Sequence, residues 1–246
     1  MVWTDEIEFV FLPGLDGTGL SYGPLGEKMP ENVRVTVVSY PTDKKLSYTE
    51  LVQCAYDRLP QNKPFILVAE SFSGPIAITL ARSFFLRIKG IVFCATFMKY
   101  DRPFLLQTAK YAPLSLLLRR FAPDFVLSFL CGDRAFLERL TPLFRQIKEL
   151  VGPEVIAHRI RMLNDIDVTD EAKKLTIPCC YIQAAEDRVV PSKCLIPFTK
   201  HFPNLVVKRM EAPHAILQAK PEECSRIIMD FARNLLTGNN AAVPQS

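Results

Sequence analysis

Short apolar runs alternate with longer amphipathic segments along most of the chain. The runs occupy residues 8–12, 33–39, 65–69, 88–94, 179–183 and 205–208 and are rich in β-branched and aromatic residues, as strands require. Segments 48–58, 74–85, 192–201 and 221–236 repeat their apolar residues every three or four positions, the spacing of a helix with one buried face. Pro221 suits the first turn of the last helix. Near-continuous apolar strands separated by helices predict an α/β fold, with a mostly parallel sheet of about six strands flanked by helices.

The alternation stops between residues 99 and 165. No convincing strand occurs there, and helical periodicity is interrupted by Pro103, Pro113, Pro123, Pro142 and Pro153. A helical lid is therefore expected at 99–165, inserted into a core formed by 1–98 and 166–246. The lid is richer in large apolar residues than packing on one side requires, so Phe104, Leu117, Phe121 and Phe125 are expected to line a substrate cavity. It also holds eleven Lys or Arg against seven Asp or Glu. Most of these charges read as a solvated face, while Arg119, Arg120, Arg134 and Arg139 form a candidate docking patch for an acidic acyl-carrier protein. The last ten residues, 237–246, lack apolar periodicity and are expected to fray.

A chain of 246 residues that is 49% hydrophobic can bury one large core, which fits one domain with an insertion. The net charge is +4 without a basic block, which argues against nucleic acid as a partner. Residues 1–6 carry acidic groups where a signal peptide would be basic, and no 18-residue apolar run occurs, so no stable membrane insertion and a cytoplasmic location are expected. Seven cysteines, an odd number often set in apolar segments, read as reduced and buried thiols. Cys179 and Cys180 adjoin in a strand and should point to opposite faces, which disfavours a shared metal. No metal and no cofactor are expected.

Residues 65–75, Phe-Ile-Leu-Val-Ala-Glu-Ser-Phe-Ser-Gly-Pro, run from a strand directly into a helix with Ser71 at the junction. A serine on such a turn stands above the sheet edge as a nucleophile, and small neighbours such as Ala69 and Ser73 let strand and helix approach. A serine nucleophile needs a base, and imidazole titrates in the right range. Of three histidines, His158 lies in the insertion and His201 ends a helix, whereas His214 sits in the loop between the last strand and the last helix. Asp187, at the carboxyl end of the fifth strand, is placed to orient that imidazole; Asp101 is the competing carboxylate, and Glu186 would point elsewhere. The glycine-rich loop 11–19, Phe-Leu-Pro-Gly-Leu-Asp-Gly-Thr-Gly, offers the Leu15 N–H as an oxyanion donor, with the Phe72 N–H as the second. That loop lacks the G-x-G-x-x-G and Gly-Lys-Ser/Thr patterns of nucleotide sites.

Leu-Pro-Gly-Leu-Asp-Gly-Thr-Gly, Glu-Ser71-Phe-Ser-Gly, Glu-Asp187-Arg-Val-Val-Pro and Pro-His214, in the order Ser, Asp, His, resemble the α/β-hydrolase superfamily along nearly the whole chain. The resemblance extends to small lid-bearing bacterial hydrolases, including carboxylesterases, and implies that the two leading strands of the full fold are missing. Two departures stand out: Pro13 replaces a common histidine, and Ala69 and Ser73 replace the glycines flanking the elbow. A similar glycine-rich loop occurs in the hydrolase-like part of plant phytyl ester synthases.

The resemblance implies a serine hydrolase that cleaves a carboxylic ester or thioester, and the aliphatic residues of the expected lid add a preference for medium acyl groups. Acyl transfer by the same residues and ligand capture by a receptor on this fold are the alternatives, since fold does not decide reaction.

Overall fold

Six strands pair side by side in one direction: β1 (Glu8–Leu12), β2 (Val35–Val37), β3 (Phe65–Glu70), β4 (Ile88–Cys94), β5 (Cys179–Ala184) and β6 (Val206–Met210), in the order β2-β1-β3-β4-β5-β6. The computed structural model describes residues 8–84, 87–101, 115–116 and 134–237. Its helices are α1 (Gly23–Gly26), α2 (Tyr48–Tyr56), α3 (Ser73–Phe84), α4 (Arg134–Leu150), α5 (Pro153–Met162), α6 (Thr169–Ala172), α7 (Ile196–His201), α8 (Ile216–Ala219) and α9 (Pro221–Leu236). Among the described residues, no helix is long and apolar enough to cross a membrane.

Alternate strand residues feed two cores, one on each face. Val10, Leu67, Phe93 and Cys179 enter the first with residues of α2, α3 and α7, and Phe11, Val68, Val92 and Cys180 enter the second with residues of α9. Burial on both faces explains why these strands read as unbroken apolar runs. It also sends the two adjacent cysteines to opposite sides of β5. β2 is shorter than its apolar run because it is an edge strand paired with β1, and Val35 to Val37 remain half-buried or exposed.

Helix starts follow local chemistry. Ser47 and Glu50 form a reciprocal capping box ahead of α2, with the Ser47 N–H donating to Glu50 Oε2 at 2.7 Å. The helical stretch predicted at 192–201 divides into a 3₁₀ turn, Ser192–Leu195, and α7, with Pro197 in the first turn of α7 where its missing N–H costs nothing.

Pro142 does not break a helix as its sequence suggests. It lies inside α4, whose Phe136 and Leu140 pack against Ala215, and whose Ile147 packs with Val151 and Val155. Packing of this amphipathic face outweighs the hydrogen bond the proline removes. Pro153, in contrast, does mark a boundary, in the first turn of α5. Lys99 and Asp167 form an antiparallel bridge and an ion pair of 2.8 Å, so the chain leaves after β4 and returns before β5 at one place. Pro103, Pro113 and Pro123, the proposed cavity residues Phe104, Leu117, Phe121 and Phe125, and the basic residues Arg119 and Arg120 lie outside the described residues, as does the tail 238–246. Of the other basic residues, Arg134 opens α4 and Arg139 lies over the Phe136 ring at 5.3 Å.

The aromatic group behind β4 and β5 centres on Phe198 of α7, edge-on to Phe93 at 4.8 Å and to Tyr181 at 4.9 Å. Phe198→Ala is expected to lower stability by about 3–5 kcal/mol in urea unfolding; a loss below about 1 kcal/mol would contradict this packing.

Candidate active site

The chain passes from β1 towards β2 on one side and from β3 towards β4 on the other, so the carboxyl ends of β1 and β3 flank the switch point of the sheet, where open α/β sheets bind ligands. Ser71 follows β3 there, and the loop 13–19 follows β1, with Leu12 in register with Ala69.

Ser71 has φ +48°, a left-handed conformation that costs a non-glycine residue about 1–2 kcal/mol. Its backbone is held on both sides. The Ser71 N–H donates to Cys94 O at 2.9 Å, while Ser71 O accepts from the Gly74 N–H at 3.2 Å and from the Thr96 hydroxyl. Thr96 is itself fixed by Tyr181, whose hydroxyl donates to Thr96 O at 2.6 Å and accepts from Thr96 N at 3.1 Å. A Cβ on Gly74 would come within 2.8 Å of Thr96 Cγ2. The glycine is needed three residues after the serine because a threonine packs there. At the position two after the serine, Ser73 fits: its hydroxyl donates to Pro13 O and accepts from Tyr40 OH at 2.7 Å. The departure from glycine at Ser73 thus has a local cause.

Ser71 Oγ lies 2.9 Å from His214 Nε2, and His214 Nδ1 lies 2.7 Å from Asp187 Oδ2. Both partner side chains are nearly covered, at 8% exposure for His214 and 5% for Asp187. The other Asp187 oxygen accepts from the Val189 and Val190 N–H groups, each at 2.8 Å, which fixes the carboxylate in its turn. With Nδ1 donating to Asp187, Nε2 is free to accept from Ser71. Asp101, the competing carboxylate, instead pairs with Lys193 at 2.5 Å, and Glu186 is exposed. His158 donates from Nε2 to Leu46 O at 3.0 Å. Ala215, next to His214, packs under Phe136 and Leu140, so α4 lies against the histidine loop.

Leu15 is in the loop after β1, and Phe72 follows Ser71 at the start of α3. Among the described residues, neither backbone N–H has a hydrogen-bond acceptor. Phe72 is buried and Leu15 half-buried; a covered N–H is rarely left without an acceptor, so both are candidates to meet an oxyanion.

Sequence reasoning missed two buried charged residues beside this site. Arg159 reaches the loop 13–19 from α5. Glu70, immediately before the serine, is only 7% exposed and accepts from Gln218 Nε2 at 2.8 Å and Ser21 Oγ at 3.2 Å. Burial pushes the Glu70 pKa up; Asp16 adds to this, and Gln218, His214 and Ser21 oppose it. A carboxylate closing an otherwise apolar strand was the available signal for Glu70. Among the described residues, no cluster of His, Cys, Asp or Glu suited to a metal occurs.

No protein-family model matches the chain. Over 138 residues, 52% of this chain, it is 29% identical to phytyl ester synthase 1, chloroplastic, of Arabidopsis thaliana, and the match spans 19% of that protein's length. Solved structures superpose over nearly the whole chain. An esterase from Exiguobacterium antarcticum has a TM-score of 0.80 at 12% identity, covering 94% of this chain and 93% of that one. The enol-lactonase from Burkholderia xenovorans LB400 has 0.76 at 15%, covering 92% of each, and a bromoperoxidase from Bacillus anthracis 0.75 at 19%, covering 94% and 92%. The chain has the α/β-hydrolase fold.

Glu70 provides a stability test. A carboxyl whose pKa rises on folding contributes its stability fully below the ordinary value of 4.5 and loses it as pH rises through the folded value. Glu70→Gln removes that dependence. The melting temperature of the variant relative to wild type is expected to be more favourable at pH 8 than at pH 4; an offset equal at both pH values would contradict the buried, pKa-raised carboxyl.

Proposed function

We propose that the protein is a serine hydrolase that cleaves a carboxylic ester or thioester through an acyl-enzyme on Ser71. The observation that carries this reading is the continuous arrangement of a positive-φ serine, His214 and Asp187, at 2.9 and 2.7 Å. Ser71 Oγ attacks the acyl carbon while His214 Nε2 takes its proton, and Asp187 holds the imidazole tautomer and stabilises the imidazolium. The Leu15 and Phe72 N–H groups receive the developing oxyanion. Collapse of the tetrahedral intermediate breaks the bond to the alcohol or thiol, which leaves with the proton from His214. Water, deprotonated by the same imidazole, then releases the carboxylic acid and restores Ser71. The likeness in fold to an esterase and an enol-lactonase supports ester cleavage as the reaction class.

The acyl group is of medium aliphatic length in this reading, on the strength of the apolar residues between 99 and 165. Each buried CH₂ contributes about 0.8 kcal/mol, or about fourfold in kcat/KM, until the pocket is filled. A second reading, acyl transfer to an alcohol, is favoured by the likeness to a phytyl ester synthase. It differs only in which nucleophile meets the acyl-enzyme.

A series of p-nitrophenyl esters from acetyl to palmitoyl, assayed on wild type and Ser71→Ala, tests both points. Turnover is expected to rise from acetyl to a medium-chain optimum and to fall about 10⁴-fold or more in Ser71→Ala. Folded wild type inert on every ester would overturn the hydrolase reading, an acetyl optimum would overturn the chain-length reading, and ester products dominating in dilute alcohol would favour transfer.

A further inference from the structure

The loop 13–19 has each carbonyl from Pro13 to Gly17 occupied. Pro13 O accepts from the Ser73 hydroxyl, Gly14 O from the Gly17 N–H at 3.1 Å, and Gly17 O from the Tyr40 N–H at 2.7 Å. The two between them are taken by one side chain: Arg159 Nη1 donates to Leu15 O at 2.9 Å and to Asp16 O at 2.7 Å. Its Nη2 donates to Pro41 O at 2.8 Å, and its guanidinium lies over the Tyr40 ring at 5.7 Å.

Arg159 is only 2% exposed, and among the described residues no carboxylate forms an ion pair with it. Burying a cation without a paired anion is costly and persists only where fixed dipoles replace water. Three carbonyls and an aromatic face do so here. Space is made for it as well: Gly17 has φ +75°, and a Cβ there would come within 3.0 Å of Arg159 Cζ.

The consequence concerns the Leu15 N–H. In a trans peptide, C=O and N–H point in opposite directions. Gly14 O, held by Gly17, belongs to the same peptide unit as the Leu15 N–H and so directs it; Leu15 O, held by Arg159, fixes the next unit. Both dihedrals of Leu15 are thereby set from outside. α5 itself is seated beside the loop that follows β2, through Gly152 N to Thr42 O at 3.3 Å and His158 Nε2 to Leu46 O at 3.0 Å.

We propose that Arg159 is a positioning residue of the oxyanion site: reaching in from α5, between β4 and β5, it clamps the loop that presents the Leu15 N–H. The proposal rests on the reading of Leu15 as an oxyanion donor. A rigid donor stabilises the transition state more than the bound ester, so the clamp is expected to act on kcat rather than KM.

Arg159→Ala and Arg159→Lys test it; lysine keeps the charge but loses the planar fork. Hydrogen exchange of a peptide covering residues 12–19 is expected to speed up in both variants. With the best p-nitrophenyl ester, kcat is expected to fall about 10²-fold in Arg159→Ala and about tenfold in Arg159→Lys, with KM within threefold, and a phenylboronic acid that mimics the tetrahedral adduct should bind more weakly by a similar factor. Unchanged exchange at 12–19, a loss residing in KM, or boronate affinity unaltered while kcat falls would overturn the proposal. Where Arg159→Ala does not fold, the lysine variant decides by the same readings. Should wild type hydrolyse no ester, the functional reading fails by itself, and exchange at 12–19 still decides whether Arg159 clamps the loop.

Discussion

The candidate site depends on the backbone of Ser71 being held in a conformation that serine does not favour. A positive φ at the end of β3 places this residue on a sharp turn into α3. Strain of this kind survives only where the surroundings over-determine it. Here Cys94, Gly74 and Thr96 bind the Ser71 peptide groups, and Tyr181 binds Thr96 through both its carbonyl and its N–H. The turn is thus secured by β4 and β5, the neighbouring strands of the sheet. Burial of Tyr181 pushes its pKa up and keeps the hydroxyl neutral, as a group that both donates and accepts must be.

The parallel sheet brings distant positions to this turn. His214 and Ser71 are separated by 143 residues, and Asp187 and His214 by 27, yet each comes from a loop at the carboxyl end of a strand. The same edge carries the loop after β1, tied to the elbow by Ser73 and to α5 by Arg159. Ser71, His214 and Asp187 stand in hydrogen-bonded sequence, the arrangement that the proposed acyl chemistry requires of a nucleophile, a base and an orienting acid. Neighbours of similar architecture include an esterase, a lactonase and a bromoperoxidase, so architecture by itself leaves the reaction open.

The central strands were legible because short apolar runs without alternation fit strands covered on both faces, as Phe65 to Ala69 and Ile91 to Cys94 are. The chain order of Ser71, Asp187 and His214 followed from which loops those strands end in. What escaped depends on tertiary contacts. Arg159 resembles any helical arginine until the carbonyls of Leu15, Asp16 and Pro41 are seen around it. Ser73 looked like a substitute for glycine rather than a hydrogen-bond donor to Pro13. Pro142 looked like a helix end, although the packing of Phe136 and Leu140 carries α4 through it. The short helices α1, α6 and α8 span four residues each, too few to show a period.

The central claim, that Ser71 is a nucleophile activated by His214, is tested most directly by covalent labelling. Wild type is treated with a fluorophosphonate, and the adduct is located by tandem mass spectrometry, with His214→Ala as the comparison. A single phosphonyl adduct on Ser71, formed far more slowly in the variant, is the expected result. A folded wild type that stays unlabelled, or a label on another residue, would contradict it.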